Sequence, residues 1–108
     1  MSVELTLLER ALLDLIASEN WSGFRVDGIV VRSRDNTGVG RYTHLDDCYN
    51  QTLCNGTYGA QGRLLEMDGV KNGLAFVVDV SGGSINYMEI ATYGNEGWDG
   101  IERKWKIT

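Results

Sequence analysis

All fourteen glycines of this chain lie beyond residue 22, while six of the eleven leucines fall within the first fifteen residues. Glycine weakens a helix interior and supplies the left-handed backbone that tight turns require. The split therefore predicts one helix followed by strands and turns. Thr6-Leu7-Leu8-Glu9 fits a capping box, in which the Thr hydroxyl and the Glu carboxylate satisfy free backbone amides. Ser2 could instead cap a longer helix. Leu5, Leu8, Leu12, Leu15 and Ile16 share one face at helical spacing, with Arg10 and Asp14 off it. Leu7 and Leu13 broaden the stripe, so the helix needs a large apolar partner. Ser22-Gly23 ends the pattern near Asn20.

Period-two patterns take over from there. Phe24 to Arg34 reads as a long strand, bent or bulged at Asp27-Gly28. Asp35-Asn36-Thr37-Gly38 has hairpin-turn chemistry. Val39 to Leu45 sets Arg41, Thr43 and Leu45 against Tyr42 and His44. Shorter or stronger strands follow at 63–67, 74–80, 85–93 and 101–107, punctuated by Asp68-Gly69, Asn72-Gly73 and Gly82-Gly83. The expected fold is α+β, with the N-terminal helix packed on a curved, mainly antiparallel meander of about five to six strands, cone-like or roll-like. This order is similar to the cystatin-like and NTF2-like cone folds, in which a helix lies against a bent antiparallel sheet. The likeness is one of layout, and no motif of either family brings a function with it.

At 108 residues, residues 1–108 are expected to form a single domain with its own core. The net charge of −5 argues against whole-surface affinity for nucleic acid or anionic membranes. No segment approaches the roughly 20 apolar residues of a membrane span. Glu4, Glu9 and Arg10 interrupt the first apolar run, so no secretory leader is expected and a cytoplasmic location is. In that setting the triplets beginning at Asn20, Asn50 and Asn55 are chance matches to the glycosylation signal, and cysteines stay reduced.

The single His and both Cys fall within eleven residues, His44 to Cys54, together with Asp46 and Asp47. A Cys48–Cys54 disulfide would close a small loop. A short helix capped by Asp46 or Asp47 and ended by Asn55-Gly56 is the competing reading. The two exclude each other, because six helical residues rise about 9 Å and a bridge needs Cα atoms within about 7 Å. Good caps favour the helix or an irregular loop. His44, Cys48 and Cys54 offer zinc-type donors, but no Cys-x-x-Cys pair or second His appears, and no metal or other cofactor is expected. A Cys48 nucleophile with His44 as base lacks an oxyanion-hole signature.

Glu89 alternates in step with Ile85, Tyr87 and Ala91, and a carboxylate on an apolar face needs a partner or a cavity. His44, Asp46, Asp47, Cys48, Tyr87, Glu89 and Tyr93 are therefore the candidate ligand-pocket residues. Arg32, Arg34 and Arg41 would form a basic cluster across the first hairpin. Trp98, Trp105, Arg103, Lys104 and Lys106 mix rings with cations, as nucleic-acid platforms do, although cations on an edge strand also block aggregation. No phosphate loop or catalytic motif occurs. The expected function is a non-catalytic binding or interaction module for a protein or a small molecule, with homodimerisation through an edge strand carrying Trp105 and Ile107. The alternatives are a small-molecule-binding or enzymatic cone-fold protein with a pocket between helix and sheet, and an acidic inhibitor or immunity-type protein for a basic partner.

Overall fold

The computed structural model describes residues 4–47 and 51–108. Helix α1, Leu7–Asn20, begins at Thr6 with the capping box in place. The Glu9 amide donates to Thr6 Oγ1 at 3.1 Å, and the Thr6 amide donates to Glu9 Oε1 at 2.9 Å. Leu8, Leu12, Leu13 and Ile16 are completely buried, while Leu7 is exposed. Each buried leucine contributes about 2 kcal/mol by leaving water, so the stripe and not helix propensity holds α1 in place.

A one-turn 3-10 helix at Val26–Gly28 takes up the bend expected there. Seven strands follow: β1 Ile29–Asn36, β2 Gly40–Asp47, β3 Gly56–Tyr58, β4 Leu65–Met67, β5 Val70–Ser81, β6 Ser84–Thr92 and β7 Trp105–Ile107. The strand count exceeds the expected five to six because β3 is too short to leave a period-two signal. The spatial order is β1-β2-β6-β5-β4-β7, with β3 beside the far end of β5, and all pairs are antiparallel. Three local hairpins are thus joined by three long-range pairings, β2 on β6, β3 on β5 and β4 on β7. Gly82 and Gly83, at φ 62° and 80°, form the two-residue turn between β5 and β6, a conformation that suits the strand twist and that β-carbons resist.

Helix α1 covers one face of this sheet. Leu45, Leu74, Phe76, Val78, Met88 and Ile90 form the buried floor beneath it. The sheet's other face has no helix over it among the described residues.

Two bulges set which side chains reach which face. In β1, Val31 pairs with Leu45 but Ser33 pairs with His44, leaving Arg32 as the extra residue. The extra residue reverses the alternation. Arg34 therefore turns under the helix, and Ser33 and Asp35 turn away from it. In β6, Tyr87 pairs with Asp79 and Ile85 with Val80, leaving Asn86 as the extra residue. Its amide donates to Asp79 Oδ2 at 3.2 Å. Ile85 is consequently buried in the core, and the face expected to carry Ile85 with Tyr87 and Glu89 carries only the latter two.

The last strand starts later than its pattern suggested. Residues 98–104 instead wrap the end of the sheet, with Trp98 buried and its indole Nε1 donating to the Ile101 carbonyl at 3.0 Å. Asp99 pairs with Arg103 at 2.7 Å. Hydrogen bonds from Arg103 and from the Ile101 amide hold the Asp99 carboxyl down at about 2.

Candidate functional site

The two faces of β2 carry opposite chemistry. Arg41 and Thr43 point under the helix and meet Glu9, a glutamate with no exposed surface. Glu9 Oε2 accepts from Arg41 Nη2 at 2.8 Å, Thr43 Oγ1 at 2.8 Å and Arg34 Nε at 2.9 Å. Oε1 accepts from Arg34 Nη2 at 2.6 Å in addition to the Thr6 amide. Arg41 also donates to Glu102 Oε2 at 2.8 Å and to the Gly100 carbonyl at 2.9 Å, and its guanidinium lies 5.5 Å from the centre of the Trp98 ring. Thr6 Oγ1 donates to Glu102 at 2.7 Å.

Burial pushes the Glu9 carboxyl up. The bonds from Arg34, the Thr6 amide and Thr43, together with the charge of Arg41, outweigh it and hold the group below its ordinary value. This cluster joins α1, β1, β2 and the C-terminal loop. Its charged groups are paired with one another, with Arg41 Nε left without a hydrogen-bond partner among the described residues, and its role is structural. The expected Arg32–Arg34–Arg41 basic patch is corrected accordingly: two of the three arginines are turned inward onto Glu9.

Tyr42, His44 and Asp46 point the other way, onto the open face. Tyr42 pairs with Glu89 and His44 with Tyr87 across the β2–β6 ladder. Cross-strand neighbours of this kind stand within side-chain reach. The Tyr42 and Tyr87 rings meet edge to face at 5.2 Å, and His44 lies 6.2 Å from Tyr87 and 6.4 Å from Tyr42. His44 Nε2 is 2.9 Å from Asp35 Oδ2. The negative charge of Glu89, and its hydrogen bond, push the Tyr42 phenol above its ordinary value. Asp79, beside Tyr87 on β5, accepts from Ser81 Oγ at 2.8 Å as well as from Asn86. The result is a three-ring cluster, half-exposed, surrounded by Asp35, Asp46, Asp79 and Glu89. Arg32 stands exposed on the edge strand beside it.

Of the residues singled out from the sequence, His44, Tyr87 and Glu89 come together on this face, and Asp46 shares it. Tyr93 follows β6 and is exposed beyond its end. Asp47 turns under the sheet, where its carboxylate accepts from the Gln51 amide at 3.2 Å. It thus caps the start of the next segment, but residues 51–55 are not helical, and Asp46 and Asp47 themselves belong to β2. Cys48 lies outside the described residues, and Cys54 is an exposed free thiol. Among the described residues no three His, Cys, Asp or Glu side chains converge as metal ligands, and no helix is long and apolar enough to cross a membrane. Tyr42 and Asp35 are not among the residues the sequence points to for a site, whereas Asp79, an acid in an apolar stretch beside Val77 and Val78, is a candidate carboxylate from the sequence. Tyr42 was detectable as the alternation partner of His44, whereas Asp35 joins through the bulge at Arg32, which period-two counting cannot see.

The architecture is that of an α+β protein with an open antiparallel sheet covered on one side. No family model, curated protein or solved structure matches this chain.

Proposed function

We propose that the protein is a non-catalytic interaction module that binds a basic protein surface on the open face of its sheet. The observation that carries this reading is the Tyr42–His44–Tyr87 cluster ringed by Asp35, Asp46, Asp79 and Glu89. Tyrosines supply large contact area at low entropic cost and dominate interface energetics. Carboxylates around them favour a cationic partner and speed its arrival. The chain's overall charge of −5 acts in the same direction. Each ring of the cluster also packs against its neighbours. Between helix and sheet the space is filled by buried apolar side chains, which favours the open face over a pocket on that side. A homodimer has separate support, since β7 ends the sheet with Trp105 and Ile107 only half-buried, and light scattering tests it.

The test is to isolate a binding protein from extract at low ionic strength and map its footprint by amide chemical shifts. The expected footprint covers Tyr42, His44, Tyr87 and Glu89, association slows with added salt, and Tyr87→Ala weakens binding by about 2 kcal/mol or more. A footprint on the helix side, or binding indifferent to salt, would overturn the reading.

A further inference from the structure

A second feature lies at the opposite end of the sheet from the ring cluster, where β4, β5 and β7 meet. Leu65 pairs with Leu74 and Met67 with Val70, so Lys71, Asn72 and Gly73 together face Glu66 alone. The two surplus residues push the strands apart. Their freed amides turn to one carboxylate: Asn72 N donates to Glu96 Oε1 at 3.0 Å and Lys71 N donates to Oε2. Gly73 closes the bulge at φ +77°, where a β-carbon would also sit 2.9 Å from Leu64 Cδ1. The bulge is therefore built in, and it bounds an open cavity of about 520 Å³. That volume is within the roughly 300–1,000 Å³ of small-molecule sites.

The cavity wall divides by chemistry. Leu64, Met67, Val70 and Trp105 supply an apolar and aromatic part. Lys71, Lys104 and Lys106 also line the cavity, and none of them belongs to an ion pair among the described residues. Glu66 and Asp68 also line it, so the wall carries a net charge of +1 (three lysines against two carboxylates). One excess positive charge suits a single negative charge better than a phosphate dianion. Trp105, half-buried, is the aromatic residue of the lining.

We propose that this cavity binds a small organic monoanion with a flat aromatic body, the chemistry of an aromatic carboxylate. The carboxylate meets the lysine ammonium groups through charge-assisted hydrogen bonds, and the ring lies against Trp105 and the apolar wall.

The experiment titrates 15N-labelled protein with 2-naphthoate, with its neutral amide 2-naphthamide, and with inorganic phosphate. Naphthoate is expected to give saturable shifts at the Lys71, Asn72 and Gly73 amides and at the Trp105 indole N–H. The neutral amide and phosphate are expected to bind at least tenfold more weakly, the loss of one charge-assisted bond or of the ring contact. Lys71→Met with Lys106→Met keeps the apolar stems and should weaken naphthoate about tenfold or more with the far-UV spectrum unchanged. Equal affinity for acid and amide, tighter binding of phosphate, an unaffected double variant, or shifts centred elsewhere would each overturn the proposal.

Discussion

Replacing Glu9 by Gln keeps the side chain's shape and removes its charge. The carboxylate accepts five hydrogen bonds and donates none. In Gln one oxygen becomes an NH2 group facing donors. Placed at Oε2, it opposes Arg34 Nε and Arg41 Nη2. Placed at Oε1, it opposes the Thr6 amide and Arg34 Nη2. Either orientation leaves Arg34 and Arg41 without their buried counter-charge, although Arg41 keeps Glu102 at 2.8 Å. Removing one member of a buried ion pair costs about 3–5 kcal/mol, and the surviving Glu102 contact places this case toward 3. A domain of this size has about 5–15 kcal/mol in total. With a urea slope of about 1–3 kcal/mol per molar, the unfolding midpoint followed by far-UV circular dichroism should fall by about 1–3 M.

Acid pH supplies a second readout. The folded carboxyl titrates below its unfolded value, so the stabilisation is complete at neutral pH. It declines as pH falls through the ordinary glutamate range and is gone below the folded value. The Gln variant should lose less stability than the wild type over that acid range. A loss under about 1 kcal/mol, the size of an average substitution, or an unchanged acid limb would refute the assignment of Glu9 as the hub. Substituting Leu at 9 and 34 together with Met at 41 removes the buried charges and leaves the part-exposed Glu102 its bond from Thr6, so stability should return to near wild type, because apolar replacement of buried ion pairs is often neutral or better.

Gly40→Ala places a β-carbon 2.5 Å from the Ile90 carbonyl oxygen and 3.0 Å from the Ala91 Cα, so β2 and β6 must separate, at a cost of about 1–3 kcal/mol in denaturant unfolding; a neutral result would show that the ladder yields freely. Glu89→Gln should lower the pH at which the Tyr42 phenol ionises, followed by Tyr ring resonances in an alkaline titration, and an unmoved Tyr42 would separate Glu89 from the ring cluster.

The local signals in the sequence were sufficient where the structure is local. Thr6 and Glu9 lie three residues apart and their capping box was readable. So was the hairpin turn after Asp35, and so was the opposition of Arg41 and Thr43 to Tyr42 and His44. What was not legible depends on single inserted residues or on distant partners. Arg32 and Asn86 each reverse a strand's alternation, and neither position has a composition that marks it. Glu9 reaches Arg41 across 32 positions and Thr6 reaches Glu102 across 96, distances at which a pattern along the chain holds no information about pairing. A hint did exist: Glu9 is in step with the buried Leu13 and Ile16, an acidic side chain in an apolar stripe. The candidate site was half legible for the same reason, with Tyr87 and Glu89 placed by alternation and Asp35 placed by a bulge.

The buried carboxylate also bears on how many ways α1 can lie on its sheet. Leucines at 7, 8, 12, 13 and 15 surround much of the helix, so several rotations about its axis would bury similar apolar area. Greasy contact alone would leave those rotations nearly degenerate. A single acidic group with four donors in fixed places on the sheet breaks the degeneracy, because any other rotation strands Glu9 in the core or the arginines beneath the helix. Charge here acts as an angular index, and leucine supplies the adhesion. The apolar replacement at positions 9, 34 and 41 should accordingly give a chain as stable as the original but less singular, with the helix sampling more than one orientation and its core methyl resonances broadened.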